Sequence, residues 1–381
     1  MPTRACGTGI SSTVLTTIEN LMKISPSLPL WSIVSPVIGW LVYAANGLQP
    51  GGWFAAFLVA GLMASVLAAV YHAEVVAHKV GEPFGTLVLA LAVTLIEVAL
   101  IVSLMLAGGE ATTGLARDTV FAAIMIILNG IVGICLLVGA SRHREQSFGQ
   151  HGVSASLATL AAIAVLTLVL PNYTLTKVGP FYSASQLAFI AVISLVLYGT
   201  FVLVQTVRHR DYFLPENAAA DEEVHAEPPS DKVAIASALL LLACLGAVVL
   251  LAKSLAPTLE TALDNLGAPK SVVGIIIAAI VLLPEGLAAV RAARANRLQT
   301  SLNLAIGSAL ASIGLTIPAV AVVSLATGWT LSLGLDIKST VLLMLSFIVA
   351  GFSLSTGRTT VMQGMVHLVI FAVYLFTTIV P

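Results

Sequence analysis

The chain has 381 residues, of which 58% are hydrophobic and only 9% are charged, and its net charge at neutral pH is −1. With a mean hydropathy of +1.03, it has too little polar surface to cover a soluble globular domain. The near-zero charge does not suggest a nucleic-acid partner. Because the apolar runs are continuous rather than alternating, a β-barrel is excluded as well. The composition therefore predicts an all-α polytopic membrane protein embedded in a lipid bilayer.

Apolar segments long enough to cross a membrane recur along the whole chain. A helix needs about 20 apolar residues to cross roughly 30 Å of hydrocarbon. About eleven segments meet this requirement, and most of the connections between them are short. The predicted spans are 28–46, 53–72, 84–107, 119–140, 153–170, 185–206, 234–256, 271–290, 301–325, 338–355 and 361–380.

One long connection, 207–233, interrupts this pattern and contains seven of the eighteen acidic residues. Its content of Ala, Glu and Pro cannot form a core, so we predict a mobile acidic linker. When alternate loops are assigned to opposite sides, the side of the N-terminus collects twelve Lys and Arg residues and the other side five. The positive-inside rule then places the N-terminus and the linker in the cytoplasm of a bacterial inner membrane, and the C-terminus outside.

Two glutamates lie alone deep inside apolar spans. Glu97 is in the third predicted span and Glu285 in the eighth, so their helices run in opposite directions through the membrane. This arrangement is typical of an inverted repeat, in which the site lies near the midplane where the units meet. We expect one extra span and two five-helix repeats, separated by the linker. The predicted units are 1–52, 53–206 with the first Glu, 207–233, and 234–381 with the second Glu.

The paired carboxylates predict a site that is shared by protons and metal cations. An acidic side chain within a span is a functional-site hypothesis by default, because its burial is expensive. Two nearby negative charges in a low dielectric cannot both persist, so Glu97 and Glu285 should hold protons or a hard cation. Competition for the same oxygens is sufficient for exchange. The alternative is that each Glu only hydrogen-bonds a neighbouring helix.

Pro284 precedes the second Glu in the sequence. A proline inside a helix has no N–H to donate to the residue four positions back, which leaves the carbonyl of Ile280 unpaired. A cation or water beside Glu285 could satisfy that carbonyl, so Ile280 is a predicted ligand. The alternative is a proline kink that only shapes helix packing.

Polar residues also mark the span after each glutamate span. Asn129 interrupts the fourth span, and the ninth carries Asn303, Ser308, Ser312 and Thr316. We predict that Asn129, Ser308 and Asn303 line the site with neutral oxygens. The alternative is that these small or polar residues only permit close helix packing.

Further titratable residues lie at the edges of the spans. Glu74 and Glu82 flank the cytoplasmic end of the third span, where they could attract cations as an entrance or regulatory site, or simply form a solvated face. His72, His78 and His367 could titrate near neutrality, but a lone His at a span edge is usually interfacial, and this is our expectation for all three.

Three stretches of the sequence resemble the calcium/cation antiporter superfamily, and specifically the bacterial ChaA-type cation/proton antiporters. They are HAEVVAHKVGEPFGTLVLALAVTLIEVALI, then VVGIIIAAIVLLPEGLAAV followed by LNLAIGSALASIGLTIPAV, and FSLSTGRTTVMQGMVHLVIFAVYL. The likeness extends from about residue 60 to the end. It implies that Glu97 and Glu285 are the shared carboxylates, and that Ca²⁺, Na⁺ or K⁺ is exchanged for H⁺ without a cofactor.

The sequence departs from the resemblance at several ligand positions. Related calcium/proton exchangers carry a G-N-A-x-E core in both repeats, whereas VTLI precedes Glu97 and VLLP precedes Glu285. Their G-S-A-T-Q stretch reads GSALA, so a glutamine is missing at Ala311, and a tail acid is replaced by Gln363. Fewer oxygen ligands should weaken calcium binding, which favours sodium or potassium.

Other classes of function fit the sequence less well. An intramembrane zinc protease would need HExxH, which is absent, and an aspartyl protease would need paired Asp residues within spans. No constellation supports a lipid transferase, so no catalytic residues are predicted and an enzyme is not expected. A cation channel lined by the same carboxylates is the main alternative, and a membrane scaffold would not need two isolated acids.

Overall fold

The computed structural model describes residues 28–48, 52–81, 84–213, 229–265, 269 and 271–380. The N-terminal segment 1–27, Glu82 and most of the predicted acidic linker lie outside the described residues. Within them the chain is almost entirely helical, and its apolar helices follow one another in the order that the sequence predicts.

Eleven helices coincide with the predicted spans in the described part of the chain. Nine are long and apolar enough to cross a membrane, while the first helix and the segment Leu91–Leu106 of the third are shorter apolar helices. The predicted eleven-span fold is confirmed. The helices are α1 (Leu30–Asn46), α2 (Ala55–Val80), α3 (Phe84–Gly108), α4 (Leu115–His143), α5 (Gln150–Tyr173), α6 (Ala184–Arg208), α7 (Asp231–Asn265), α8 (Ser271–Arg294), α9 (Leu298–Thr327), α10 (Ile337–Leu354) and α11 (Val361–Ile379).

Side chains at the membrane surface fix where some of these helices begin. Thr360 and Gln363 form a capping box at the start of α11, in which the Thr360 N–H donates to Gln363 Oε1 at 2.6 Å. Ser183 and Gln186 form the same motif at the start of α6. Such caps satisfy backbone N–H groups that have no partner within the helix. Gln363 therefore serves as a helix cap.

The two five-helix repeats, α2–α6 and α7–α11, pack against each other reciprocally. The second helix of each repeat packs on the third helix of the other, so α3 contacts α9 and α8 contacts α4. Likewise, α9 packs against α6 and α4 against α11, while α2 and α7 contact each other and α1 covers both. Each repeat thus supplies the same surfaces to its partner, as inverted repeats require. The residue boundaries between the units remain a prediction.

Contacts between loops show which helix ends share a membrane face. Two short strands, β1 (Gln146–Ser147) after α4 and β2 (Arg358–Thr359) after α10, pair antiparallel. On the same face, Lys79 at the end of α2 forms a 2.5 Å ion pair with Asp231 at the start of α7. We call this side the basic face, because the predicted alternation of loops gives it most of the Lys and Arg residues.

The opposite face is held together by a different set of loops. Phe181, between α5 and α6, forms a β-bridge with Ser332, between α9 and α10. Arg117, at the start of α4, donates to Ser332 Oγ at 3.1 Å, and Lys338, at the start of α10, donates to the Thr377 carbonyl at 2.6 Å. Both sets of contacts agree with an odd number of spans from α1 to α11.

Cysteine labelling from one side of the membrane tests this topology. In a background free of the three native cysteines, Glu145→Cys and Arg358→Cys should react together, and Lys177→Cys and Thr330→Cys should react only from the other side. All four positions are exposed, so an impermeant thiol reagent applied to intact cells and to everted vesicles measures the difference. A shared labelling side for Glu145→Cys and Lys177→Cys would contradict the fold.

Candidate functional site

Glu97 lies in the middle of α3 and is held by a side chain from the other repeat. Its side chain is buried, with the residue 5% exposed. Ser312 of α9, itself buried, donates from Oγ to Glu97 Oε1 at 2.5 Å. A hydroxyl that donates to a buried carboxyl group compensates part of the cost of removing that group from water. The contact joins the two repeats at the depth of the predicted site.

Glu285 lies within α8, and its environment is different. Both carboxylate oxygens are buried, and neither has a hydrogen-bond partner among the described residues. The helix runs without interruption through Pro284, so the Ile280 carbonyl has no proline N–H to accept from. The next residue, Gly286, packs closely against α4, since a Cβ added to it would lie 3.2 Å from Ile131. An unpartnered buried carboxylate is unstable as an anion, and it needs a proton or a cation.

The two glutamates flank the same helix, α9. Both α3 and α8 pack against α9, so the helices that carry the two glutamates share a neighbour. Since α8 and α9 form an antiparallel pair joined by a short turn, Glu285 and Ser308 lie at similar depths, each about 14 Å from the turn at 1.5 Å per residue. Ser312 is one helical turn deeper, at the level of Glu97. Packing on α9 therefore places the two glutamates within about one helical turn of each other along that helix.

Ser308 lies on α9 at the level of Glu285, one helical turn from Ser312. It is half-buried, and four residues separate it from Ser312, so the two hydroxyls share a face of the helix. Beside it, a Cβ added to Gly307 would meet no atom of the described residues within 4 Å. This local space and the adjacent hydroxyl are compatible with a small cation or water next to the carboxylates.

Asn303 and Asn129, which were predicted to line the site, direct their polar atoms to other partners. Asn303 donates to the Phe213 carbonyl at 2.6 Å and accepts from Gln299 at 3.0 Å. It is nine residues from Ser312, or about 13 Å along α9, so it joins α9 to the segment after α6. Asn129 directs its amide towards α10 and α11, where it donates to Ser346 Oγ at 2.8 Å. In both cases the polar atoms of the side chain form hydrogen bonds with partners other than the glutamates.

The expectation for two of the histidines is wrong. His72 and His367 are fully buried rather than interfacial. Helix α1 covers His72, whose Nε2 lies 3.0 Å from the Ser32 carbonyl, and α4 covers His367, whose Nδ1 lies 3.2 Å from Asn129 Oδ1. Sequence position along a span could not show which neighbouring helix would cover each ring.

The predicted entrance residues are only partly described. Glu74 is exposed on α2, close enough to Arg291 of α8 for the two charges to interact. Glu82 lies outside the described residues.

Ser312 was visible in the sequence as one of several polar residues of its span, but the sequence did not distinguish it from its neighbours. Its spacing of four residues from Ser308 is the signal that could have done so.

The candidate donors around the two glutamates are oxygen atoms. No three His, Cys, Asp or Glu side chains come together in the part of the chain that the structure describes. Structural zinc sites use four such ligands, whereas Ca²⁺ and other hard cations accept carboxylate, hydroxyl and carbonyl oxygens. The site offers two carboxylates and the hydroxyls of α9.

Comparison with known proteins identifies the family. A family model for sodium/calcium exchanger proteins matches residues 51–207 and 236–380, so the chain belongs to that family, as the resemblance predicted. The y4hA protein of Sinorhizobium fredii is 49% identical over 94% of this chain and 98% of its own length. The sodium-potassium/proton antiporter ChaA of Escherichia coli is 38% identical over 83% of this chain and 86% of its own.

Solved structures share the fold. Native YfkE superposes with a TM-score of 0.71, covering 92% of this chain and 100% of its own at 17% identity. The H⁺/Ca²⁺ exchanger CAX gives a TM-score of 0.68, covering 91% of this chain and 87% of its own at 15% identity. At these identities the likeness concerns the fold alone, and it agrees with the inverted-repeat architecture.

Replacing Ser312 tests the contact between the repeats. Ser312→Ala removes the donor to a buried carboxylate, which costs about 1–3 kcal/mol. If Glu97 binds the transported cation, the half-saturating cation concentration should rise about fivefold or more, measured in vesicles at equal protein content. Ser301→Ala, on the same helix and also buried, is the matched control. Equal behaviour of the two variants would argue against a role for the Ser312 contact.

Proposed function

We propose that this protein is a secondary active antiporter that exchanges Ca²⁺, Na⁺ or K⁺ for H⁺ across a bacterial inner membrane. The observation that carries the proposal is the pair of buried glutamates on helices α3 and α8, which come from opposite repeats and flank α9. One of them, Glu285, has no hydrogen-bond partner among the described residues. Membership of the sodium/calcium exchanger family supports cation transport.

Proton and cation compete for the same carboxylates in this proposal. Glu97 is stabilised by the Ser312 hydroxyl, while Glu285 depends on a bound species for its stability. With no cation, the second carboxylate holds a proton, because two adjacent charges in a low dielectric repel each other strongly. A cation that binds between them displaces that proton. Each transport step is therefore coupled to proton release or uptake without any cofactor.

We infer that a monovalent cation fits this site at least as well as calcium. The spans lack the asparagines and the glutamine that the resemblance would add as oxygen ligands, and Ala311 occupies the glutamine position. Calcium uses six to eight oxygens, so a sparse donor set binds it weakly. The name of the 38% identical relative from Escherichia coli, a sodium-potassium/proton antiporter, points to the same cations.

We also infer the orientation from the distribution of charge. The basic face is assigned to the cytoplasm by the positive-inside rule, since the loops of that side hold twelve of the seventeen Lys and Arg residues. The acidic linker between α6 and α7 then lies in the cytoplasm, and α11 ends on the opposite face. In this orientation Glu74 lies near the cytoplasmic entrance.

Neutralising either glutamate tests the proposal. Everted vesicles with an acidic interior and a pH-sensitive dye are challenged in turn with Ca²⁺, Na⁺ and K⁺. At least one cation should dissipate the gradient in the wild type, and Glu97→Gln and Glu285→Gln should each abolish the response, because the amide cannot exchange a proton. Glu110→Gln, an exposed acid between α3 and α4, is the matched control and should retain most of the activity.

The same assay separates an antiporter from a channel. A channel lined by these carboxylates would pass cation current in wild-type vesicles without a coupled change of internal pH. An antiporter changes the internal pH at a rate that saturates with cation concentration. Proton-coupled flux that persists in Glu97→Gln would contradict the shared-carboxylate mechanism.

A further inference from the structure

A buried polar network lies on the far side of α4 from Glu285. Its members are Asn129 of α4, Ser346 of α10 and His367 of α11, each 0% exposed. Asn129 Nδ2 lies 2.8 Å from Ser346 Oγ, and Asn129 Oδ1 lies 3.2 Å from His367 Nδ1. Buried polar groups in a membrane helix bundle are expensive, so three that meet at one point require an explanation.

The hydrogen-bond pattern determines which nitrogen of the His367 ring carries the proton. Ser346 donates its single proton to the Leu342 carbonyl at 2.7 Å, so its oxygen accepts from Asn129, which must present its NH₂ group. The other atom of the amide, Oδ1, then faces His367 and can only accept. His367 Nδ1 therefore carries the proton. Its Nε2 has no partner among the described residues, and no ion pair with a carboxylate is formed there.

The helix segment that carries Asn129 is not a regular α-helix. Residues Ile126–Ile131 of α4 form a π-helix between two α-helical parts, Leu115–Met125 and Val132–His143. Such an insertion changes the direction in which the following side chains project, and it is frequent at functional sites. In the described residues of α9, the corresponding helix of the other repeat, the α-helix is continuous.

Small residues bring α11 close enough to α4 to hold this segment. A Cβ on Gly364 would lie 2.6 Å from the Leu137 backbone nitrogen, and one on Gly133 would lie 3.0 Å from the His367 Cβ. Close backbone approach through glycine is typical of membrane helix pairs. It places the His367 ring against the π-helical segment rather than against lipid.

The opposite side of the same π-helical segment packs against Gly286, the residue after Glu285. Ile131, two residues after Asn129, contacts the position where Gly286 lacks a side chain. In a helix, residues two apart point to nearly opposite sides. A change in the register of this segment would therefore move Ile131 relative to Gly286. On the other repeat, α9 contacts Glu97 directly through Ser312, so the two glutamates are supported in different ways.

We propose that His367 is a positioning residue for cation binding: through its hydrogen bond to Asn129 it sets the register of the π-helical segment of α4, and so the wall beside Glu285. This inference rests on the proposed role of Glu285 in exchange. His367 does not touch the transported ion. Its Nδ1–H donates to Asn129 Oδ1, while Ser346 Oγ accepts from the amide nitrogen of Asn129. Together these two hydrogen bonds fix the rotation of α4 between α8 and α11.

Two substitutions of His367 separate a donor at Nδ1 from a general structural effect. In His367→Asn the amide nitrogen takes the place of Nδ1 and keeps a donor for Asn129, whereas His367→Gln moves the amide to the place of Nε2. We expect His367→Ala and His367→Gln to raise the half-saturating cation concentration about fivefold, the effect of one lost hydrogen bond. His367→Asn should stay within about twofold of the wild type. Exchange rates are measured in vesicles and normalised to the amount of folded protein.

A double variant tests whether the effect passes through Asn129. Asn129→Ala should raise the half-saturating concentration as His367→Ala does, and the combination should be no worse than either single change, because residues of one network are not additive. His72→Ala, which replaces another fully buried histidine, is the matched control and should lower the protein amount without changing the half-saturating concentration.

The results of these experiments separate the positioning role of His367 from the proposed function of Glu285. An unchanged half-saturating concentration in His367→Ala, with Glu285→Gln inactive, would overturn the positioning role and leave the proposed function standing. Failure of His367→Asn to restore the wild-type value, with His367→Gln closer to it, would mean that Nε2 is the important atom and would also overturn the inference. Normal exchange in Glu285→Gln would instead refute the proposed function.

Discussion

The structure depends on the burial of two carboxylates within a membrane. A charged side chain in hydrocarbon is unstable unless other groups compensate it, and a neutral one still needs a hydrogen-bond partner. Glu97 obtains that partner from the opposite repeat, through Ser312. Glu285 obtains none from the described residues. In the proposed mechanism, the second carboxylate is therefore the one whose stability changes most when a proton or a cation binds.

The crossed packing of the repeats makes this possible. Because the second helix of each repeat packs on the third helix of the other, each glutamate helix has a neighbour from the half of the protein that does not contain it. A relative movement of the two halves would alter both environments together. The third helices are not equivalent, however, since α9 is a continuous helix and α4 contains the π-helical segment Ile126–Ile131. The repeats share a topology but differ in how they support the acids.

The sequence predicted the membrane spans and the glutamate pair, but it predicted the neighbours of the pair only in part. Span positions follow from the length of apolar runs, which is a property of the chain alone. Asn129 and Asn303 are polar and lie in the right spans, yet their side chains bond to Ser346 and to the Phe213 carbonyl. Which face of a helix meets which neighbour depends on rotation and crossing angle, and a nearly uniform apolar helix gives little periodic signal for either.

By itself, the sequence determined the number of spans, the opposite directions of the two glutamate helices and the family resemblance, because these depend on local hydropathy and on the parity of crossings. Only the tertiary structure decided that Ser312 donates to Glu97, that Glu285 is left without a partner among the described residues, and that His367 is buried against Asn129. These contacts join residues more than two hundred positions apart or depend on the packing of several helices. Their geometry is set by close packing between the repeats, which no local pattern along the chain encodes.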